Sequence, residues 1–338
     1  MDESRGTGEL ERLRAADDVA RRDDHAAQHA HPRAAALIEF DRVGHTYRSP
    51  FGRAVRAVED FSLAIGGSEV FGLAGPNGAG KSTLISLLLG YLEPTHGTVR
   101  IAGMRPRAFV ERHGIGYLSE LISIPPRWTL DEALRRYAIL AGLAHDEIPG
   151  RLEEVIDQLG LQEHRGKRVK QLSKGNLQRL GLAQALLRDE RVIILDEPTH
   201  GLDPVWTQRF RDVVVALRRP GRAIFIASHN LDELQRLADR VAIIDRGQLQ
   251  RVVDPRARAG DTGGATPYVI SVLDGDAVVA TVFPGAASRG AGEYELPPLD
   301  VRTLNAGLAT LVARGALVTS LRPAHSMLEQ HFREAIGE

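Results

Sequence analysis

Short apolar runs alternate with helix-like stretches through the middle of the chain. Val70–Ala74, Val192–Leu195 and Ala223–Ala227 contain no charged side chain and are each bounded by turn or polar residues. Such runs are typical of parallel strands that are buried on both faces. Between them, Thr83–Gly90 and Val205–Arg218 have the apolar content and the stop signals of helices. This alternation predicts an α/β fold with a parallel sheet.

Two other regions depart from the alternation. Ala36–Tyr47 and Val55–Ile65 are predicted as strands that precede the first buried run. Residues 129–188 have helical periodicity, and Thr129 with Glu132 forms a capping box at their start. The sequence therefore predicts a helical block inserted into the α/β pattern.

The two ends of the chain have a different character. Residues 1–34 are rich in charged residues, alanine and histidine, which predicts an extension that is disordered or forms a frayed helix. Residues 254–266 have the composition of a linker, and residues 267–338 are predicted to form a small α+β domain without any catalytic or phosphate-binding grouping. The predicted elements of this domain are strands at Tyr268–Val272 and Ala316–Leu321 and helices at Val301–Ala313 and Met327–Ile336.

Composition narrows the functional classes. The 338 residues carry a net charge of −1, so the overall charge does not favour nucleic acid as a partner. The chain has no cysteine, which excludes disulfides, cysteine-ligated zinc and thiol chemistry. No apolar run approaches the ~20 residues of a membrane-spanning helix, and the charged N-terminus lacks an apolar signal core. Any role at a membrane is therefore expected to depend on a partner.

The strongest functional signal directly follows Val70–Ala74. Gly75–Thr83 fits the phosphate-loop pattern G-x-x-x-x-G-K-[ST] and lies between a predicted strand and a predicted helix. Its glycines leave backbone N–H groups free to surround phosphate oxygens, and the helix N-terminus adds partial positive charge. Lys81 can reach the β- and γ-phosphates of a nucleotide, and the Ser82 hydroxyl can ligate Mg²⁺. The predicted nucleotide-binding residues of the loop are Gly75, Asn77, Gly78, Gly80, Lys81, Ser82 and Thr83.

Two acidic residues end the second buried run. Asp196 and Glu197 follow Val192–Leu195, which would place both carboxylates at the ligand-binding edge of a parallel sheet. One acid can hold Mg²⁺ and the next can take a proton from water. The alternative, a pair of exposed turn acids, is disfavoured by the apolar strand and by the upstream phosphate loop.

Three further positions carry weaker signals. His229 follows the third buried run and could donate to a γ-phosphate, whereas the other histidines are interpreted as structural or exposed. Ser173 and Gly175 open a helix and could bind phosphate, although serine is also an ordinary N-cap. Tyr47 could stack on adenine or pack as a strand aromatic, and the pattern alone does not separate the two.

In their order along residues 36–252, these motifs resemble the ATPase subunit of ATP-binding-cassette (ABC) transporters. After the phosphate loop come Leu172–Asn176, similar to the family's LSGGQ signature, and Val192–Glu197, similar to its Walker B strand. Gly201–Asp203 resembles the D-loop, and His229 resembles the switch histidine. Each match alone is modest, but five in order at cassette spacing are specific to this family.

The resemblance implies a P-loop NTPase fold over residues 35–253. This ABC cassette would combine a RecA-like parallel-sheet core, an antiparallel β subdomain and a helical subdomain at about residues 120–188. The small C-terminal α+β domain would follow as an accessory domain.

The resemblance also implies a role for each matching residue. Tyr47 would stack on adenine, and Lys81, Ser82 and Thr83 would hold the phosphates and Mg²⁺. Asp196 and Glu120 would face the metal. Glu197 would polarise the attacking water, with His229 and Lys81 at the γ-phosphate. Ser173 and Gly175 would cap the γ-phosphate bound to the other subunit, and the D-loop residue Asp203 would also belong to the nucleotide site.

The implied cofactors are ATP and Mg²⁺. The implied partners are an integral-membrane permease at the cytoplasmic face of the membrane and a second copy of the cassette or a paralogue, with no nucleic acid. The tail around Ser326–Phe332 is similar to exporter-type cassettes for drugs, antibiotics or lipids, which implies export of a small hydrophobic or lipid-like molecule. Alternatives are a soluble cassette acting on ribosomes or nucleic acid, and a non-hydrolysing regulator. Intact Lys81, Asp196 and Glu197 argue against the latter.

Two positions depart from the family pattern. Glu120 occupies a position where the family usually carries glutamine; a carboxylate can face Mg²⁺ but repels a γ-phosphate. Lys174 replaces the usual first glycine of LSGGQ, as is frequent in exporter-type cassettes, and we expect little loss because Ser173 and Gly175 are retained.

Overall fold

The computed structural model describes residues 36–48, 54–256, 266–274, 276–324 and 326–337. The predicted N-terminal extension and most of the predicted linker lie outside these residues. The strands are β1 (Ala36–Arg48), β2 (Ala54–Gly66), β3 (Val70–Ala74), β4 (His96–Ile101), β5 (Gly116–Leu118), β6 (Val192–Asp196), β7 (Ala223–Ala227), β8 (Arg240–Asp245), β9 (Gln248–Val253), β10 (Thr266–Val272), β11 (Ala287–Gly290), β12 (Glu293–Leu299) and β13 (Val318–Pro323). The helices are α1 (Lys81–Leu88), α2 (Pro106–His113), α3 (Leu130–Leu140), α4 (Ile148–Gln158), α5 (Lys174–Ala185), α6 (Pro204–Leu217), α7 (Leu231–Leu237), α8 (Asp276–Val282), α9 (Val301–Ala313) and α10 (Met327–Ile336).

A six-stranded sheet in the order β5-β6-β7-β3-β8-β9 forms the centre of the cassette. The first five strands are parallel, and β9 is antiparallel to β8. Every residue of β3, β6 and β7 is buried. Along β6, Ile193 and Leu195 pack into one hydrophobic core while Val192 and Ile194 pack into the other. Helices or a second sheet cover both faces, so the predicted parallel-sheet α/β fold is confirmed.

A three-stranded antiparallel sheet, β2-β1-β4, packs on one face of the central sheet and supports the phosphate loop. The carbonyl oxygen of Ala57 on β2 would lie only 2.6 Å from a Cβ added at Gly80 and 2.7 Å from one added at Gly247. Gly80 also has φ of 107°, a conformation that L-residues with side chains rarely adopt. The loop can therefore pass against β2 only because residue 80 is glycine.

The helical block is built from α3, α4 and α5, joined by two short 3₁₀ turns at Gln162–His164 and Val169–Gln171. The predicted capping box is present at the start of α3. Thr129 Oγ1 accepts from the Glu132 backbone N–H at 3.2 Å, and Glu132 Oε2 accepts from the Thr129 N–H at 2.8 Å. Leu130, Leu134, Leu152 and Ile156 are buried in the interior of this block, as amphipathic helical spacing requires.

The C-terminal sheet has the order β11-β12-β10-β13 and is covered by α8 and α9. Sequence analysis located β10, α9, β13 and α10 but missed α8, β11 and β12. The four residues of β11 are all exposed, so no buried alternation marks them. β12 contains Pro297 and Pro298, which lack a backbone N–H; both lie beyond the segment that pairs with β11.

The last helix, α10, packs against the cassette rather than into the core of the C-terminal sheet. Leu328 is fully buried in the same core as Leu234 and Leu237 of α7, with Phe332 and Ala335 packed beside it. Arg251 on β9 donates from Nη1 to Glu334 Oε2 at 3.0 Å. The cassette core is therefore completed by a helix that follows the C-terminal sheet in the chain.

We expect Leu328→Ala to lower the free energy of unfolding of the cassette by about 2–4 kcal/mol, because it leaves a cavity in a packed core. The two tryptophans of the chain are Trp128 and Trp206, both in the cassette, so tryptophan fluorescence in urea reports on cassette unfolding. Leu317→Ala is the matched control, since Leu317 is 56% exposed and its loss should cost less than about 0.5 kcal/mol. An unchanged tryptophan transition in Leu328→Ala would show that α10 is not part of the cassette core.

Candidate nucleotide site

The phosphate loop connects β3 to α1 at the carboxyl edge of the central sheet, where α/β proteins bind ligands. Gly80 is the N-cap of α1, and no acidic side chain lies in the first turn of this helix. Gly78 has φ of 80°, and a Cβ added there would have no neighbour within 4 Å. The loop thus turns a helix N-terminus and an open backbone surface towards the same space, an arrangement that binds anions.

A cleft of about 510 Å³ opens over this loop. Its described lining residues are Ala57, Asn77, Gly78, Ala79, Gly80, Lys81, Ser82, Thr83, Glu120, Asp196, Glu197, His200 and His229. The fold therefore brings together the predicted phosphate-loop, metal and catalytic residues from four separate segments. Gly75 lies behind the loop, where an added Cβ would be 2.4 Å from the Ile244 carbonyl oxygen.

Lys81 lies in the cleft, bonded to its own loop. Its Nζ donates to the carbonyl oxygens of Gly75 at 2.7 Å and Pro76 at 3.1 Å. Burial lowers the pKa of Lys81, and the carboxylates of Glu197, Asp196 and Glu120 oppose that shift. These neighbours favour the charged form that a phosphate contact requires.

Asp196 is the last residue of β6 and is buried. Burial, together with the nearby Glu120 and Glu197 carboxylates, raises the pKa of Asp196 to about 7, while Lys81 opposes the shift. A divalent cation beside this carboxylate would favour its ionised form.

The oxygens of Ser82, Asp196 and Glu120 suit Mg²⁺, which prefers hard oxygen ligands. Within the described part of the chain, no group of three or more His, Cys, Asp or Glu side chains is arranged to hold a metal by itself. Mg²⁺ commonly binds through one or two carboxylates together with nucleotide phosphates, so this donor set fits a metal that arrives with its nucleotide.

Glu197 is held rigidly at the mouth of the cleft. Its Oε1 accepts the His229 backbone N–H at 2.9 Å, and its Oε2 accepts from Ser228 Oγ at 3.2 Å and lies 2.8 Å from His229 Nδ1. Its backbone has φ of 48°, and its N–H donates to Ala227 O at 2.9 Å. Because Asp196 pairs with Ala227 in neighbouring parallel strands, the two strand ends hold the acid and the histidine together. Several contacts thus maintain an unfavourable backbone conformation, as is frequent at functional sites.

Tyr47 lies next to the loop but does not line the cleft. Its hydroxyl is 3.3 Å from Thr83 Oγ1, and its ring packs edge-on against His45 with a centroid separation of 4.7 Å. The residue is 43% exposed, which leaves part of the ring accessible for stacking. Its adenine-binding role remains a prediction.

Ser173, Gly175 and Asp203 lie outside the cleft. Ser173 is exposed and caps α5, accepting the Asn176 backbone N–H at 3.2 Å. Asp203 caps α6 and accepts from the Trp206 N–H at 2.9 Å. A Cβ at Gly175 would be 3.1 Å from the Gly201 carbonyl oxygen, so the signature turn and the D-loop are in contact. Neither the signature turn nor Asp203 lines the cleft of its own chain.

His200 is a cleft residue that sequence analysis did not single out. It is exposed, as interpreted for the histidines other than His229, yet it lines the cleft three residues after Glu197. Its Nε2 lies 2.6 Å from Lys174 Nζ at the start of α5. The one feature of the sequence that could have identified His200 as a cleft residue is its position in the loop that follows the Walker B strand.

A second cavity, of about 380 Å³, lies between the central sheet and the helical block. Its apolar walls include Tyr91, Leu121 and Ile122, with Tyr137 and Gly181 contributed by the helical block. Leu121 is 82% exposed and Tyr91 is 73% exposed. Most of the residues that line this cavity lie between positions 89 and 124, before the helical block begins.

The fold and the cleft define a P-loop nucleotide-hydrolysing cassette. The family model described as "ABC transporter" matches residues 58–200. An uncharacterized ABC transporter ATP-binding protein of Synechocystis sp. is 35% identical over 93% of this chain and 88% of its own length. The chain therefore belongs to the ATP-binding proteins of ABC transporters, the ATPase subunits that work with membrane permeases.

Other relatives differ in how much of the chain they match. The Nod factor export ATP-binding protein I of Mesorhizobium japonicum is 30% identical over 92% of this chain and 91% of its own length. The methionine import ATP-binding protein MetN 1 of Pseudomonas putida is 34% identical over 63% of this chain and 66% of its own length.

Solved structures support the fold. The dimeric bacterial ABC transporter cassette MJ0796 superposes with a TM-score of 0.60 at 23% identity, covering 66% of this chain and all of that one. The cbiO1 subunit from Clostridium perfringens gives a TM-score of 0.55 at 25% identity, covering 65% of this chain and 89% of that one. In the described residues of this chain, none of the helices has the length and apolarity needed to span a bilayer.

Proposed function

We propose that this chain binds MgATP in the cleft, closes head to tail with a second cassette around two nucleotides, and hydrolyses ATP to drive export by a separate permease. One observation carries the proposal: Glu197 and His229 contact each other in the cleft over the phosphate loop, while Ser173 and Gly175 do not line the cleft of their own chain. Because the Glu197–His229 pair lies in the cleft and the signature turn with Ser173 and Gly175 lies outside it, the site is complete only when the signature turn of a second chain is added.

The roles of the cleft residues follow from their geometry. Lys81 would exchange its carbonyl contacts for phosphate oxygens, and the loop N–H groups would bind the β-phosphate. Mg²⁺, held by Ser82 and Asp196 with Glu120 facing it, would neutralise phosphate charge. Glu197 would orient a water molecule and accept its proton, and His229 would donate to the γ-phosphate.

The second subunit supplies the remaining donors. The N-terminus of α5, with the Ser173 hydroxyl and the Gly175 N–H, would approach the γ-phosphate bound to the partner. Such donors stabilise transition-state charge only once they are in place, so hydrolysis would depend on closure.

The trans contact predicts the behaviour of Ser173→Arg. A bulky side chain at this exposed position should block closure, because it occupies the space of the partner's γ-phosphate. We expect ATP turnover to fall at least ~10-fold, since closure supplies transition-state donors, while MgADP affinity stays within about twofold because the intrachain cleft is untouched.

Ser288→Arg on the exposed strand β11 is the matched control and should leave turnover unchanged. Turnover is measured by phosphate release and nucleotide binding by calorimetry. Unchanged turnover in Ser173→Arg would contradict the head-to-tail dimer. A parallel loss of MgADP binding would instead indicate damage to the fold.

Export is favoured by the extent of similarity along the chain. The Nod factor export relative matches nearly the whole chain, including the C-terminal region, whereas the methionine import relative matches about two thirds of it. The second cavity, which Leu121 lines, would receive a cytoplasmic segment of the permease. The cassette would then lie peripherally at the cytoplasmic face of the membrane. The transported molecule would be small and hydrophobic or lipid-like.

Transport direction can be tested with the co-purified complex. We expect affinity-tagged chain from solubilised membranes to carry a polytopic permease, and Leu121→Asp to abolish that association without altering basal ATP turnover. In proteoliposomes with ATP on the cassette side, substrate movement away from the cassettes supports export. Movement towards the cassettes would contradict it.

A further inference from the structure

The two departures from the family pattern have opposite charges; one lines the nucleotide cleft and the other contacts a residue that lines it. Glu120 adds a carboxylate where the family usually has a neutral glutamine, and Lys174 adds an ammonium where the family usually has glycine. Glu120 lines the nucleotide cleft directly. Lys174 does not, but it contacts a residue that does.

That residue is His200. Lys174 Nζ lies 2.6 Å from His200 Nε2. A lysine ammonium has three donors and no acceptor, so Nε2 accepts the hydrogen bond and the ring proton is on Nδ1. The aliphatic stem of Lys174 also packs against Gly201. Its Cγ, Cδ and Cε atoms lie 2.8–2.9 Å from the position that a Cβ added at Gly201 would occupy. Lys174 is thus held along the loop after β6, with its charge beside the cleft residue His200.

The cleft carries an excess of acid. Among its described lining residues, three are carboxylates and one is lysine. The Lys81 ammonium interacts with all three carboxylates, and Glu120 and Glu197 both act on Asp196. A nucleotide brings further negative charge into this space. Relative to the family pattern, Glu120 makes binding of a triphosphate less favourable unless positive charge is added nearby.

We propose that Lys174, held against His200, supplies positive charge at the edge of the cleft that offsets the Glu120 carboxylate and so positions MgATP for hydrolysis. This inference rests on the proposed function, since it assumes that the cleft binds MgATP. It assigns Lys174 as a positioning residue and His200 as the group through which Lys174 reaches the cleft.

A double-mutant cycle tests the offset. We expect Lys174→Gln, which removes the charge but keeps an N–H donor on a stem two methylenes shorter, to lower kcat/KM for ATP about fivefold when residue 120 is Glu. In the Glu120→Gln background the same change should have less than about a twofold effect, because the charge to be offset is gone. Lys174→Arg should retain the parent value. The affinity for ATPγS with Mg²⁺, measured by calorimetry, should follow the same pattern.

Salt separates electrostatic offset from structural support. The effect of Lys174→Gln should shrink in about 0.5 M salt, where charges at the edge of the cleft are screened. Lys170→Gln removes an exposed lysine four residues earlier and should change neither kcat/KM nor affinity.

Equal effects of Lys174→Gln in both backgrounds, no effect in either, or failure of Lys174→Arg to retain the parent value would overturn the inference while leaving the ATPase proposal intact. A parent chain that neither binds nor hydrolyses ATP would instead overturn the proposed function itself.

Discussion

Glu197→Gln should lower ATP turnover at least ~100-fold while leaving the nucleotide bound. General-base contributions of this kind range over about 10²–10⁴ in rate, and an amide cannot accept the proton from water. The amide keeps the size of the carboxylate and one acceptor oxygen for the His229 N–H, so the strand ends should hold their arrangement. Loss of one negative charge in an acidic cleft also favours a bound triphosphate. The variant should therefore accumulate as an ATP-bound dimer.

Two measurements check this result against Glu39→Gln, an equivalent change at an exposed position of β1. Phosphate release should be near background in Glu197→Gln and normal in the control. Light scattering with MgATP should show a dimer in Glu197→Gln and mostly monomer in the parent, where turnover reopens the site. Equal phosphate release in the parent and Glu197→Gln would remove Glu197 from its assigned role. A monomeric Glu197→Gln at saturating MgATP would count against closure around two nucleotides.

Sequence periodicity predicted the parts of the fold where burial is strong. The buried runs that became β3, β6 and β7 carry no charge before their last residue, and the parallel sheet places their carboxyl ends at one edge. Local chemistry was equally informative at α3, where two side chains, Thr129 and Glu132, specify the helix start.

Contacts between distant segments were not predictable in the same way. α10 has an ordinary amphipathic pattern, and nothing in it specifies whether Leu328 packs on the adjacent C-terminal sheet or on α7 of the cassette. The Lys174 contact with His200 joins the start of α5 to a loop 26 residues later, through two exposed side chains that carry no burial signal. Exposed strand β11 and proline-containing β12 were missed because their pairing, not their composition, makes them strands.

Lys81→Ala should weaken MgATP binding at least ~100-fold. Charge-assisted hydrogen bonds contribute roughly 1.5–3 kcal/mol each, and Lys81 would make two or more with the β- and γ-phosphates. To make these contacts, Lys81 must break its hydrogen bonds to Gly75 and Pro76, which reduces the net gain in binding free energy. The electrostatic attraction between its ammonium and the phosphates remains, and Lys81 is the one lysine among the described lining residues of an acidic cleft.

Calorimetry with ATPγS and Mg²⁺ measures the loss of affinity, and Lys170→Ala, which removes an exposed lysine away from the cleft, controls for the change in net charge. A normal urea midpoint with lost binding would place the effect in the phosphate contact, whereas undiminished affinity would contradict the phosphate-loop assignment.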